Sequence, residues 1–203
     1  MPPPGSANKF QIVRRASYAA VPWKNGGGVT HEAMRVPPTG EYFSWRVSVA
    51  HIESSGPFSD FSGYQRKMVL LEGRGLDLQF GDGRRRELRQ VGDWVEFDGA
   101  ISTYCGLLDG PCVDLNLMTA KTLKASARLE HIRDRYIAGA SPGETILIFS
   151  LEAPLLLGSG TGESARLEPW DLAVLSQGDA RLDIIGPEAS SRPAAVFIAS
   201  ISQ

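Results

Sequence analysis

The chain has 203 residues, 42% hydrophobic and 22% charged, with a formal net charge of -2 and a pI near 5.9. That length accommodates one sizeable core or two small fused ones, and the balance of charge excludes a nucleic-acid footprint, which needs clustered, unopposed Lys and Arg. No stretch approaches the roughly 20 apolar residues of a membrane span. Met1 to Ser6 lacks the charged and apolar regions of a signal peptide, so a cytoplasmic location is expected.

Short apolar runs separated by glycine-rich turns dominate, the pattern of an all-β sandwich or barrel with little helix. Strands are predicted at Gln11 to Arg15, Phe43 to Ala50, Lys67 to Glu72, Gly75 to Phe80, Arg86 to Arg89, Asp93 to Phe97 and Cys112 to Met118. Further strands follow at Thr145 to Leu151, Asp171 to Leu175, Ala180 to Ile185 and Ala194 to Ile201. Thr119 to Ile137 is rich in helix formers, yet Leu129, His131 and Arg133 alternate with Glu130, Ile132 and Asp134, which favours a strand over Ala127 to Asp134. Arg84-Arg85-Arg86 sits between Gly81-Asp82-Gly83 and Glu87 and reads as a solvated hairpin end. Cys105 and Cys112 flank Asp109-Gly110, a hairpin turn in which Leu107 would face Cys112; both are expected to be reduced thiols.

Residues 23 to 32, Trp-Lys-Asn-Gly-Gly-Gly-Val-Thr-His-Glu, cluster glycine with polar groups. Three glycines belong where backbone takes positive φ or approaches something closely. The run fits neither the Walker nor the dinucleotide pattern, which leaves a glycine hinge between strands or a loop folding Lys24, Asn25, Thr30 and Glu32 over a polar ligand. In Phe43 to His51, alternation puts Phe43, Trp45, Val47 and Val49 on one face and Ser44, Arg46 and Ser48 on the other. That second face either meets solvent or, turned into a barrel, offers a planar fork for a carboxylate. Asp114 and Asn116 alternate in the same way with Val113, Leu115 and Leu117. In the aromatic loop Gly56 to Arg66, Phe58 and Phe61 serve as a pocket lid or as a plug at the barrel end, and Arg66 is a second cation or a partner of Asp60.

The chain echoes itself. Val69 to Gly73, Leu76 to Leu78, Gly81-Asp82-Gly83, Arg86 to Leu88 and Gly92-Asp93-Trp94 have counterparts in Ile148 to Glu152, Leu155 to Leu157, Gly160-Thr161-Gly162, Ala165 to Leu167 and Trp170-Asp171-Leu172. Two copies of this meander predict a duplicated jelly-roll, with an N-terminal barrel over residues 1 to 120 and a C-terminal half over 121 to 203 packed as one compact unit. The meander resembles the cupin superfamily. Metal-binding cupins carry a His-x-His pair and a further His on one inward face; His31, His51 and His131 stand singly here, so neither a metal nor another cofactor is expected.

The ordered set of residues 23 to 32, 43 to 50, 56 to 66 and 114 to 118 resembles the HutD/Ves family of bacterial proteins. The resemblance implies a bicupin. It carries ten site positions to this chain: Trp23, Lys24, Asn25, Thr30, Glu32, Arg46, Ser48, Arg66, Asp114 and Asn116. The histidine-utilisation branch of that family is associated with histidine degradation through urocanate and formylated or formiminated glutamate, and the Ves branch with stress and cold. The expectation is a metal-free protein that binds a small carboxylated metabolite and modulates histidine utilisation. Lys24, Arg46 and Arg66 would contact the anion, Asn25, Thr30, Ser48 and Asn116 would hydrogen-bond it, and Trp23 would stack on a ring. The alternatives are a metal-independent hydrolase or isomerase using Glu32 and Asp114 as acid and base, or a stress-related protein of the Ves branch. No nucleophile elbow, Ser-His-Asp order or paired cysteine supports covalent catalysis. Exposed sheet edges suit a homodimer.

Overall fold

The computed structural model describes residues 10–23, 26–160, 162–176, 180–187 and 192–203. Its strands in chain order are β1 (Phe10–Val13), β2 (Ala19–Pro22), β3 (Gly28–Val36), β4 (Trp45–Ile52), β5 (Gly56–Pro57), β6 (Tyr64–Glu72), β7 (Leu76–Phe80), β8 (Arg85–Leu88), β9 (Trp94–Asp98) and β10 (Thr103–Leu107). They continue with β11 (Cys112–Ala120), β12 (Lys124–Ile132), β13 (Arg135–Ala140), β14 (Thr145–Ser150), β15 (Leu155–Ser159), β16 (Ser164–Leu167), β17 (Leu172–Leu175), β18 (Ala180–Ile185) and β19 (Ala194–Ser202). The one helical element among the described residues is a 3-10 turn at Arg15–Ser17, so no helix is long and apolar enough to cross a membrane.

The chain divides into two compact units, residues 16–123 and residues 1–15 with 124–203. The first has a six-stranded sheet, ordered β2-β3-β4-β11-β6-β9, and a four-stranded sheet, ordered β5-β10-β7-β8. The second repeats the plan with β1-β17-β14-β19-β12 and β13-β18-β15-β16, all pairings antiparallel. The predicted duplication is therefore present.

Its clearest trace is one hydrogen-bond circuit made twice. Gly92 N donates to Leu70 O at 2.9 Å and Asp93 N to Gln90 O at 2.9 Å; the Asp93 carboxylate accepts from Arg89 N and Gln90 N. In the second unit Trp170 N donates to Ser150 O at 2.8 Å and Asp171 N to Glu168 O at 3.0 Å. The buried Asp171 carboxylate accepts from Arg15 N at 2.8 Å, Arg14 Nη1 at 2.7 Å and Glu168 N at 3.2 Å. The turn needs a left-handed residue before its aspartate. Gly92 supplies it at φ 89°, whereas Trp170 holds φ 67° against its β-carbon and carries the Arg15 guanidinium 4.0 Å above its ring.

Several sequence expectations are corrected. The first strand does not join the N-terminal barrel: Phe10–Val13 pairs with Leu172–Leu175, because Asp171 captures the backbone just beyond it. Residues 119 to 137 hold no helix: β11 ends at Ala120, and β12 runs Lys124–Ile132 and so starts three residues before the expected Ala127. β13 begins at Arg135 after a bend at 133–134, where the expected strand runs on to Asp134. Cys105 and Cys112 do not flank a hairpin, since β10 pairs with β5 and β7 while β11 pairs with β4 and β6. The thiols are both free and buried. Strands β2, β3, β5, β10 and β13 escaped the pattern reading; β3 carries Thr30, His31, Glu32 and Arg35, too polar to stand out as an apolar run.

The two interiors differ. The second is filled by Ile146, Ile148, Val196, Ile198, Leu157 and Ile184 among other apolar side chains. The first packs Met68, Leu70, Leu76, Leu78, Leu88 and Phe97 and adds the charged groups described below. Replacing Asp171 by Ala orphans the Arg15 and Glu168 amides, and the expected loss is about 1–3 kcal/mol. Urea unfolding measures it, and amide exchange should accelerate across β1 before the rest of the second unit.

Candidate functional site

Directly opposed residues on antiparallel strands share a face, so the register assembles the site. Arg46 on β4 and Arg66 on β6 both oppose Met118 on β11, and Arg35 on β3 opposes Arg46. In the next row Glu32, Ser48, Asn116 and Met68 lie side by side across β3, β4, β11 and β6. In the row after that come Thr30, Ala50, Asp114 and Leu70. Met68, Leu70, Ile52 and Cys112 belong to the barrel's core cluster, so this is the inward face. Eight of the ten expected positions, Trp23, Thr30, Glu32, Arg46, Ser48, Arg66, Asp114 and Asn116, thus meet in one interior. Lys24 and Asn25 lie outside the described residues. Ser48, Arg66, Asp114 and Asn116 are buried, whereas Trp23, Thr30, Glu32 and Arg46 are half-buried towards solvent.

Aromatic rings hold the arginines. The Arg66 guanidinium carbon lies 4.9 Å from the Phe58 ring, 5.0 Å from Phe97 and 5.6 Å from Phe61. Arg46 lies 5.2 Å from both Phe61 and Phe43, and its Nη2 points at Met118 Sδ at 3.5 Å. Phe61 therefore serves both cations. This gives the loop from Gly56 a function beyond plugging the barrel, and it moves Phe43, expected on the Trp45 face, beside Arg46, because β4 begins only at Trp45 and alternation does not reach back to residue 43. Phe43 also stacks on Tyr64 at 4.2 Å. Phe97, Met118 and Arg35 were not singled out from sequence; the alternation of β9, with Val95 and Phe97 on one face, was the available signal for Phe97.

Charge in this interior is incompletely compensated. Arg66 is 5% exposed and takes part in no ion pair among the described residues; burial lowers its pKa to about 10, with Asp114 opposing that fall and Arg46 adding to it. Burial likewise lowers Arg46, opposed by Glu32 and reinforced by Arg35. Asp114 is 1% exposed and pushed up to about 7 by burial, with Arg66 pulling the other way. Arg46 Nε, Arg66 Nε, Asp114 Oδ1 and Asn116 Oδ1 are all buried without a hydrogen-bond partner. Buried polar atoms are satisfied in the great majority of folded proteins, so four orphans on one face are exceptional. Asp60 is no partner of Arg66: its Oδ1 accepts from Ser62 N and Oγ at 2.7 and 2.8 Å.

The glycine run closes the β2–β3 hairpin rather than cradling phosphate. Trp23 N donates to Gly28 O at 2.9 Å, Gly26 takes φ 71°, and a β-carbon on Gly28 would sit 2.2 Å from His51 O. That turn sets Trp23, whose Nε1 donates to Thr30 Oγ1 at 2.8 Å. A narrow pocket lies between Trp23, Ile52, Phe58 and Cys105. Burial raises the Cys105 thiol to about 12, which leaves it inert as a nucleophile. His31 and His51, single in the sequence, meet edge-on with ring centroids 5.1 Å apart; register puts them on the sheet face opposite Arg46. No group of three or more His, Cys, Asp or Glu among the described residues is placed to hold a metal ion.

Two jelly-rolls in one chain, with a polar interior in the first, define a bicupin; a cupin barrel protein from Leptotrichia buccalis superposes with a TM-score of 0.56 over 87% of this chain and 89% of that one at 8% identity. The family model described as HutD matches residues 15–190, and the chain belongs to the HutD family. An uncharacterised 21.2 kDa protein from the hutC 3' region of Pseudomonas putida is 35% identical over 188 residues, covering 91% of this chain and 95% of that protein. Protein Ves of Escherichia fergusonii is 34% identical over 131 residues, covering 63% and 66%. The structure of HutD from Pseudomonas fluorescens SBW25, described as a formate condition, matches with a TM-score of 0.78 at 29% identity over 96% of this chain and 99% of that one.

The raised Asp114 pKa has a defined effect on stability. Between its ordinary value of 3.8 and about 7 the folded carboxyl keeps a proton that the unfolded one has released. Stability therefore falls as pH rises through that window, and the loss is complete above it. Asp114→Asn, which does not ionise, is expected to gain on wild type between about pH 4 and about pH 7, with no further gain above that. Urea unfolding of both proteins measures the gap, and parallel pH profiles would refute the assignment.

Proposed function

We propose that the N-terminal barrel binds a small carboxylated metabolite of the urocanate, formylglutamate or formiminoglutamate class, and that binding modulates histidine utilisation in the cytoplasm. The observation that carries this reading is Arg66, a desolvated guanidinium among aromatic rings which, among the described residues, has Nε unpartnered and no carboxylate paired to it. A bound carboxylate would supply the missing charge through a two-point fork, with Arg46 as its second cation. Asn116, Ser48 and Thr30 would hydrogen-bond the rest of the molecule and Trp23 would cover it. Family membership and the hutC-region relative support the link to histidine.

A second reading, a metal-independent hydrolase or isomerase, is favoured by one observation: the Asp114 carboxyl is shifted to about 7, where an acid or base works near neutral pH. Glu32, on the same face, would be its counterpart. Their backbones are separated by β4 and by one row of the sheet, roughly 12 Å apart, enough for a small molecule between them.

A thermal-shift screen against histidine, urocanate, formiminoglutamate, formylglutamate, glutamate and formate tests both readings, because a ligand of the folded state raises its melting temperature. The expected result is a dose-dependent shift with one of the carboxylates, recovered unchanged. Arg46→Ala should weaken that binding by roughly 10- to 100-fold, as loss of a charge-assisted pair does. Recovery of a converted compound favours the enzyme, and no shift with any of the six sinks the histidine-pathway reading.

A further inference from the structure

We propose that anion binding in the first barrel is coupled to protonation of Asp114, so that the pocket takes up a proton with each carboxylate it accepts. The inference rests on the reading of the site as a carboxylate pocket and adds its regulation by pH. The side chain sits in the middle of the six-stranded sheet with Ala50 of β4 on one side and Leu70 of β6 on the other. It has an unpartnered Oδ1 and no ion pair among the described residues.

The groups able to titrate around it are few. Arg66 faces it from β6 and is the charged group that acts on it. Arg46 shares the face from β4, and Glu32 and Arg35 share it from β3, one and two strands away from β11. Cys105 of β10 and Cys112 of its own strand are thiols, and burial raises both. Asp77 of β7 is committed to Arg85 at 2.6 Å. His31 and His51 lie on the other face of the sheet, and Lys24 lies outside the described residues.

With Arg35, Arg46, Arg66, Glu32 and Asp114 ionised, the formal charge of this face is +1. A bound carboxylate cancels that surplus and sets a second negative charge near the buried Asp114, where charge is expensive. The same carboxylate engages Arg66, the cation that holds the Asp114 proton affinity down. Both effects favour the neutral acid at Asp114, and a proton on Asp114 in turn removes a repulsion from the incoming anion. Binding and protonation then strengthen one another reciprocally. The sign follows: above the free-state titration of Asp114, affinity falls as pH rises, approaching roughly tenfold per pH unit until the bound-state titration is passed.

The test is calorimetry on the full chain with N-formylglutamate, which does not itself titrate near neutrality, and with formate as a second probe. Each is titrated in HEPES and in Tris at about pH 7.5, because buffers of different ionisation enthalpy count the protons exchanged. The expected result is uptake of between about half a proton and one per anion, with Kd rising several-fold from about pH 6.5 to about pH 8.5. Asp114→Asn should bind with no uptake and a flat pH profile. Wild-type binding without proton uptake overturns the inference and leaves the carboxylate pocket standing, as does equal uptake by a folded Asp114→Asn. Absence of binding by both probes at millimolar concentration overturns the pocket reading itself, and this inference with it.

Discussion

Adjacent residues Arg66 and Lys67 face opposite sides of one sheet, and the difference in how each charge is met organises the first barrel. Lys67 is 1% exposed and its Nζ reaches Glu96 Oε1 at 2.9 Å, so its charge is neutralised by the protein itself. Arg66 is buried as deeply but is met by rings and by the more distant Asp114. Burying a guanidinium without a paired carboxylate is costly. The faces of Phe58, Phe61 and Phe97 repay part of that cost through their π electrons, and they fix the guanidinium in place without consuming its hydrogen-bond donors. The result is a buried cation flanked by rings, with its Nε left without a hydrogen-bond partner among the described residues.

The second barrel isolates what this chemistry adds to the fold. It repeats the sheet order and the aspartate turn circuit, so the duplication is structural. Across β14 and β19, Ile146 opposes Ser200 and Ile148 opposes Ile198, where β6 and β11 pair Arg66 with Met118 and Met68 with Asn116. The interior of the second barrel is lined by hydrocarbon along these strands, and that of the first carries buried charged and polar groups. Trp170 shows the cost of divergence: a left-handed residue with a β-carbon is retained because Arg15 stacks over its buried ring and Asp171 pins the neighbouring backbone.

Placing the site on strands has a consequence for precision. Arg46, Ser48, Asp114 and Asn116 are spaced by the ladder of β4 and β11, which tolerates little displacement. The aromatic side of the site comes from the loop after β5, whose Phe58 N is tied to Thr103 O and Phe61 N to Gly99 O. A rigid polar floor thus meets a hydrogen-bonded aromatic roof.

Period-two alternation and glycine-punctuated turns were enough, read as sequence, to establish an all-β duplicated barrel and to put Arg46 with Ser48 and Asp114 with Asn116 on shared faces, because the direction of a side chain on a strand is a local property. The glycine-run loop and the aromatic loop singled out Thr30, Glu32 and Arg66, and the family resemblance added Trp23. What alternation could not decide was which face turns inward, since either parity satisfies one strand; only pairing with the facing sheet put the arginines inside. Nor could it show that His31 and His51 touch, that Phe97 and Phe43 flank the arginines, or that β1 crosses to the second unit, for each depends on register between strands far apart in the chain. The proton affinity of Asp114 belongs to the same class: an aspartate has its ordinary acidity in sequence, and the desolvation imposed by tertiary burial changes it.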